Sequence, residues 1–165
     1  MNHHATSVAI EEYHGLRAEL RPLFELAEDS AARLDAYLDL GRVLVARTAD
    51  EIVGHVQVVS TDRPDVAELK NMAVRESHQG RGVGRALVAA LLDLLTAGPV
   101  STLVVATAAA GTGTLRFYQR QGFRMRAIER DAFTPATGYP PTTIDGIPLR
   151  DRVWLDLPVP RPSVT

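Results

Sequence analysis

The sequence predicts a single-domain α/β fold in which helices are layered on a sheet. Strand-like and helix-like stretches alternate along the chain, the pattern of a layered α/β architecture. The 165 residues suit one domain and suffice to bury a core without metal or disulfide staples. A hydrophobic share of 45 % is that of a globular chain and not of a disordered one.

Val8–Ile10 reads as a first strand. Arg17–Ala27 and Ala31–Leu40 read as short helices, the second with Asp29 or Ser30 as N-cap and Gly41 as its stop. Arg42–Thr48 is a β-branched run, Ala49-Asp50-Glu51 a turn and Ile52–Ser60 a second run, which together predict a hairpin. Asp62–Asp65 holds a proline and marks a loop. Ala67–Val74 follows as a strand, with Glu68, Lys70 and Met72 on one face and Leu69, Asn71 and Ala73 on the other.

Arg75–Gly84 is polar and glycine-rich. Arg85–Ala97 is the clearest helix, with Leu87, Leu91, Leu94 and Leu95 at helical spacing and Gly98-Pro99 as its end. Thr102–Thr107 predicts a buried strand, and Gly111–Gln121 a short helix with Gly122 at C′. Phe123–Asp131 predicts another strand. Thr134–Arg150 contains Pro135, Gly138, Pro140, Pro141 and Gly146, so a long loop is expected there. Asp151–Leu157 closes the sheet and the core, which spans residues 8–157. The proline-rich Pro158–Thr165 is expected to trail outward.

Composition excludes several function classes. A net charge of −2 with 5 % aromatic residues and no basic block argues against a nucleic-acid binder. The absence of cysteine excludes disulfides, thiol catalysis and thiolate metal sites. The amino-terminal residues do not read as a signal peptide, and no apolar run is long enough to span a bilayer, so a cytoplasmic protein is expected. His3, His4, His14, His55 and His78 are scattered, so no metal is expected, and His55 reads as structural. Lys70 is the sole lysine among 18 lysines and arginines, a composition bias.

The strongest chemical signal is Gln79-Gly80-Arg81-Gly82-Val83-Gly84, between a strand and an apolar-faced helix. Glycines let backbone N–H groups approach an oxyanion with no Cβ in the way. A helix start adds unpaired N–H groups and the positive end of its dipole. Arg81 and Arg85 add charge. A Walker loop fails because Gly84 is followed by Arg85-Ala86. A dinucleotide fingerprint fails because the spacing is G-x-G-x-G. A kinase loop lies between two strands. The remaining alternative on the residues alone is a tight turn without a ligand.

Together, Ala73-Val74, Gln79–Gly84 and Ala86-Leu87 resemble the signature of the GNAT superfamily of acetyl-CoA-dependent N-acetyltransferases. Tyr118 followed by Gly122-Phe123 resembles its second hallmark. The resemblance covers roughly residues 8–157 and is nearest to the small single-domain bacterial members. It implies a mixed, mostly antiparallel, twisted sheet of about six to seven strands with helices on both faces, splayed between the fourth and fifth strands. It implies that the pantetheine arm pairs with the backbone of Met72, Ala73 and Val74. It implies that the pyrophosphate sits on Gln79, Gly80, Arg81, Gly82, Val83 and Gly84, with Arg85 beside it. The family often has an asparagine where this chain has Gly111, and Thr112 or Thr114 is expected to substitute as cap and donor.

The resemblance also assigns roles. Tyr118, on its residue type alone a half-buried packing aromatic, becomes a general acid for the departing thiolate. Glu68 is either a base acting through water or a surface residue paired with an arginine. Asn71 either orients the substrate or satisfies backbone groups. The expected reaction is direct transfer from acetyl-CoA to a primary amine of a small molecule or peptide. Backbone N–H near Ala73 or Val74 would hold the oxyanion. The loop Thr134–Arg150 is expected on the acceptor side, where Glu129, Asp131 and Asp145 either point to a cationic acceptor or are the charges of a solvated loop. A homodimer through Asp151–Leu157 is implied. Alternatives are a non-catalytic acyl-CoA sensor, or a toxin-type enzyme acting on aminoacyl-tRNA, against which the net charge of −2 weighs.

Overall fold

The computed structural model describes residues 7–162, so His3 and His4 and the last three residues of the tail lie outside the described part. Described strands form a seven-stranded sheet, mostly antiparallel with one parallel pair, and a separate two-stranded ribbon. The chain divides into two compact units, one holding Asn71–Leu94 and the described residues up to Val59, the other Ser60–Lys70 and the residues from Leu95 on.

In the first unit, β1 (Ala9–Glu12), β2 (Arg42–Arg47) and β3 (Ile52–Ser60) pair antiparallel in succession. The expected hairpin is present, and Val53 to Val58 is buried throughout. Against it pack α1 (Arg21–Phe24) and α2 (Ala31–Tyr37), with Leu20, Leu23, Phe24, Leu34 and Val45 in the core. The single helix expected over Arg17–Ala27 is instead a 3-10 turn, Arg17–Leu20, followed by one α-turn. Pro22 is the reason: it has no N–H, so a continuous helical ladder cannot pass through it. Ser30 caps α2, accepting from the Arg33 N–H at 3.3 Å.

The end of α2 is closed by more than Gly41. Gln57 Nε2 donates to the Tyr37 and Leu40 carbonyls at 2.8 and 2.9 Å. Arg17 donates to those of Leu38, Leu40 and Gly41 at 2.9, 2.8 and 2.6 Å. These side chains satisfy carbonyls that a helix end leaves unpaired.

β4 (Val66–Val74) threads both units and alternates as expected, with Ala67, Leu69 and Asn71 buried. α3 (Val83–Thr96) buries Val83, Leu87, Val88 and Leu91. It seats close to β3 because Gly54 has no side chain. A Cβ there would lie 3.1 Å from the Ala73 carbonyl oxygen and 3.3 Å from a Leu87 methyl.

In the second unit, β5 (Thr102–Ala108) pairs in parallel with Val66–Leu69 of β4. α4 (Thr112–Arg120) follows, ending at Gly122 with φ +102°. Next come β6 (Arg124–Glu129), the ribbon of β7 (Thr143–Ile144) and β8 (Ile147–Pro148), and β9 (Arg152–Pro158). The sheet order is β1-β2-β3-β4-β5-β9-β6. β9 therefore uses both backbone edges, on β5 and on β6, and Asp151–Leu157 offers no free edge to a second copy.

The carboxy-terminal tail corrects the expectation that it trails outward. Val159 is buried and its N–H donates to the Ser101 carbonyl at 2.9 Å. Arg161 reaches the carbonyls of Gly98 and Pro99 at 3.3 and 3.4 Å. The apolar positions Leu155, Leu157 and Val159 continue the strand's alternation past its prolines.

Candidate active site

Where β4 ends, Arg75 ties the chain back to β3: its N–H donates to the Val53 carbonyl at 2.8 Å and its Nε to that of Ile52 at 3.0 Å. One 3-10 turn, Glu76–His78, leads into the glycine loop. The Gln79 side chain donates to the Val74 carbonyl at 2.9 Å, so it closes the loop and does not project from it. Gly80 and Gly82 stand at φ +73° and +81°, in the left-handed region, and a Cβ at either would point into open space within 4 Å. The first helical bond of α3 runs from the Ala86 N–H to the Gly82 carbonyl at 3.0 Å. The N–H groups of Val83, Gly84 and Arg85 thus lie in a first turn, where a helix supplies no acceptor. Buried Val83 anchors that turn, while Arg81 and Arg85 are exposed. Open glycine backbone, free first-turn N–H groups and two cations fit a phosphate.

The parallel ladder of β4 reaches only to Leu69, and Met72, Ala73 and Val74 lie beyond it, each partly exposed. Glu68 is largely covered, and its carboxylate lies 3.6 Å from the Lys70 ammonium. Its ion-pair partner is thus a lysine two residues on, not the arginine expected.

Asn71 is only 3 % exposed. Its amide donates to the Phe24 carbonyl at 3.2 Å and to the Tyr37 hydroxyl at 2.9 Å. Its oxygen accepts from His55 Nε2 at 2.8 Å. Both amide hydrogens are engaged inside the first unit, so Asn71 satisfies buried polar groups there, a backbone carbonyl among them, and has no donor left for a substrate. The contact also sets the tautomer of His55, whose Nδ1 is bare and has no partner. The imidazole stacks on Phe24 at 4.2 Å. Burial lowers its pKa to about 4 and keeps it neutral, with the Asn71 hydrogen bond opposing.

Tyr118 lies on α4, buried, with its ring edge-on to Phe117 and Phe123 at 5.3 and 5.4 Å. Burial pushes its phenol well above the usual range, so the hydroxyl holds its proton. The N-cap of α4 is Gly111 and no side chain caps it, so Thr112 does not replace the missing asparagine as cap. Thr112 and Thr114 are exposed in the first turn. A Cβ at Gly111 would lie 3.2 Å from the Ala108 carbonyl oxygen, too close for a larger residue without a small shift.

Two acidic residues expected to attract a cation are already paired. Glu129 accepts from Arg152 at 3.0 Å and from the Trp154 indole at 3.2 Å. Asp131 lies 3.3 Å from Arg150. Asp145 sits in the β7–β8 turn at φ +49°. Sequence reasoning missed a pocket of about 310 Å³ in the first unit, lined by residues including Tyr13, Glu19, Arg47 and Arg75. These positions are too far apart in the chain to form a motif. Among the described residues, no cluster of three or more His, Cys, Asp or Glu could hold a metal. No described helix is long and apolar enough to cross a membrane.

A glycine loop carrying a strand into a helix start, set in a mixed sheet, gives an α/β protein with room for a phosphate at the loop. The chain belongs to the acetyltransferase (GNAT) family, whose sequence model matches residues 11–123, and it is an acyltransferase. It is 35 % identical over 142 residues to an uncharacterized N-acetyltransferase, YvbK, of Bacillus subtilis (strain 168), covering 84 % of this chain and 90 % of that relative. It is 33 % identical over 85 residues to the [ribosomal protein bS18]-alanine N-acetyltransferase of Salmonella typhimurium, covering 52 % of this chain and 57 % of that enzyme. Among solved structures, a Bacillus subtilis acetyltransferase in complex with CoA superposes with a TM-score of 0.83 at 32 % identity, over 92 % of this chain and 99 % of that one.

Proposed function

We propose that the protein transfers an acetyl group from acetyl-CoA to a primary amine of a small molecule or peptide, by direct attack in a ternary complex. The observation that carries this reading is the pair Gly80 and Gly82, held at positive φ with open space before them at the start of α3. Gly80 to Arg85 would hold the pyrophosphate through backbone N–H groups, Arg81 and Arg85 adding charge. Met72, Ala73 and Val74 would pair with the pantetheine arm. Acetyl-CoA would supply the activated acetyl group, and CoA would leave as the thiol once the thioester C–S bond breaks.

An ammonium with a pKa of about 10 must lose a proton before it can attack. Glu68, whose carboxylate lies 3.6 Å from the Lys70 ammonium, would take that proton through water. Tyr118, whose buried phenol holds its proton, would give that proton to the departing sulfur. Backbone N–H near Ala73 or Val74 would hold the oxyanion. With no cysteine in the chain, an acyl-thioester on the enzyme has no residue to form on.

The test is an amine panel, including peptides with a free α-amine, incubated with acetyl-CoA while released thiol is measured. Amine-dependent release supports the reading. CoA binding by calorimetry with no release for any amine would leave the acyl-CoA sensor. Salt-sensitive binding of tRNA would favour the toxin-type reading.

A further inference from the structure

The pocket of about 310 Å³ in the first unit carries opposite charges at its two ends. Its volume is that of roughly ten waters of liquid, at about 30 Å³ each, which suits a compact organic molecule and not a nucleotide. Strand register places the ends. Arg47 is the cross-strand neighbour of Ile52, and Arg75 Nε donates to the Ile52 carbonyl at 3.0 Å, so two guanidiniums meet beside Ile52. Tyr13, whose N–H donates to the Val43 carbonyl at 2.8 Å, marks the other end. Val43 and Arg47 stand at opposite ends of their stretch of β2, about 13 Å apart along a strand. The Tyr13 hydroxyl donates to Glu19 Oε2 at 3.0 Å, which fixes a carboxylate at that end. Between the two ends lies an apolar floor of buried Leu20 and Leu23 and partly buried Ile52.

Both guanidiniums are held through Nε alone. Arg47 Nε donates to Glu11 at 2.6 Å; that of Arg75 donates to the Ile52 carbonyl, with Glu51 4.0 Å away. Their terminal nitrogens have no hydrogen-bond partner among the described residues. A guanidinium fixed in this way presents its remaining N–H groups as a fork, which matches a carboxylate. Glu19, accepting from Tyr13, keeps lone pairs for a cationic donor. Burial and the Glu19 hydrogen bond raise the pKa of the Tyr13 hydroxyl while the Arg47 charge acts against them, so both ends act on one enclosed space.

We propose that this pocket binds a short ω-amino acid, its carboxylate between Arg47 and Arg75, its methylenes on Leu20, Leu23 and Ile52, and its ammonium at Glu19. An α-amino acid carries both charges on one carbon and cannot reach both ends. Inorganic phosphate suits the guanidiniums but leaves the apolar floor and Glu19 without a partner. The site is made by the first unit alone, and its occupancy does not depend on acyl transfer.

The test is a titration of the methyl resonances of Leu20, Leu23 and Ile52 by nuclear magnetic resonance, without acetyl-CoA. The side chains of Arg47 and Arg75 are half-exposed, so solvent screens their pairs, and 5-aminopentanoate should bind with a dissociation constant of about 1 mM. Its isomer norvaline, and pentanoate and pentylamine, which each lack one charge, should bind at least about fivefold more weakly. Arg47→Gln should weaken 5-aminopentanoate and pentanoate but not pentylamine; Glu19→Gln should weaken 5-aminopentanoate and pentylamine but not pentanoate. Unchanged methyl signals away from the pocket check that each variant is folded. Norvaline or inorganic phosphate binding as tightly as 5-aminopentanoate overturns the proposal. So does the absence of methyl shifts at several times the expected dissociation constant, or a loss of affinity in the two variants that does not follow the charge each removes.

Discussion

The neutral imidazole of His55, stacked on Phe24 and bonded to Asn71, has a folded pKa of about 4, against about 6.5 in an unfolded chain. Between those values the unfolded chain binds a proton and the folded one does not. This contribution to stability is therefore intact above about pH 6.5 and is lost as pH falls toward 4, by about 3 kcal/mol over the window. Urea unfolding at several pH values should show that slope, and His55→Leu should flatten it. For Tyr118→Phe, which keeps the ring against Phe117 and Phe123, turnover should fall at least about tenfold with CoA affinity unchanged. Stability should fall by about 1 kcal/mol at most. Unaltered turnover would make Tyr118 a packing residue. Glu68→Gln should slow turnover most at low pH, where more of the amine needs deprotonating. A uniform loss across pH would leave water or the substrate to accept the proton. The glycine loop was legible in the sequence because backbone freedom is a local property. The His55–Asn71–Tyr37 network was not, since its members lie 16 and 34 residues apart and meet only through packing.

At the scale of elements, the loop between β4 and α3 is the most exacting piece of backbone. A β-branched residue at φ +81° is strained by roughly 1–2 kcal/mol, and its methyls would fill the space where an anion would sit. Gly82→Val should raise the dissociation constant for acetyl-CoA at least about tenfold in calorimetry while α3 stays folded; unchanged affinity would remove the loop from cofactor binding. β4 and α3 could be read from periodicity because each buries regularly spaced positions, whereas the β2–β3 hairpin shows as two β-branched, almost wholly buried runs about a turn. The apolar pattern predicts one helix over Arg17–Ala27 because it passes through Pro22, while the hydrogen-bond ladder does not. The β7–β8 ribbon reads as loop in the sequence because its strands have two residues each, too few to show alternation. Its turn, Asp145-Gly146, has both residues at positive φ, which is the type I′ pattern that such a dipeptide favours.

Over the whole molecule, the tail contributes to folding more than its composition indicates. Val159 is buried beside Ser101 and Arg161 holds two carbonyls past the end of α3. Val159→Asp buries a charge without a partner and should lower stability by about 3 kcal/mol or more, measured by thermal unfolding; an unchanged midpoint would show that the tail is dispensable. The Glu68–Lys70 pair has a different kind of consequence. Because Lys70 is the sole lysine, the protein is almost free of side-chain amines that could consume the acetyl donor in an assay. An acylating reagent becomes a one-site reporter on β4, since any mass increment on a lysine-containing peptide belongs to a position two residues from the candidate base. Protection of that peptide when CoA is added would map occupancy of the strand without a label, a mutation or a known acceptor.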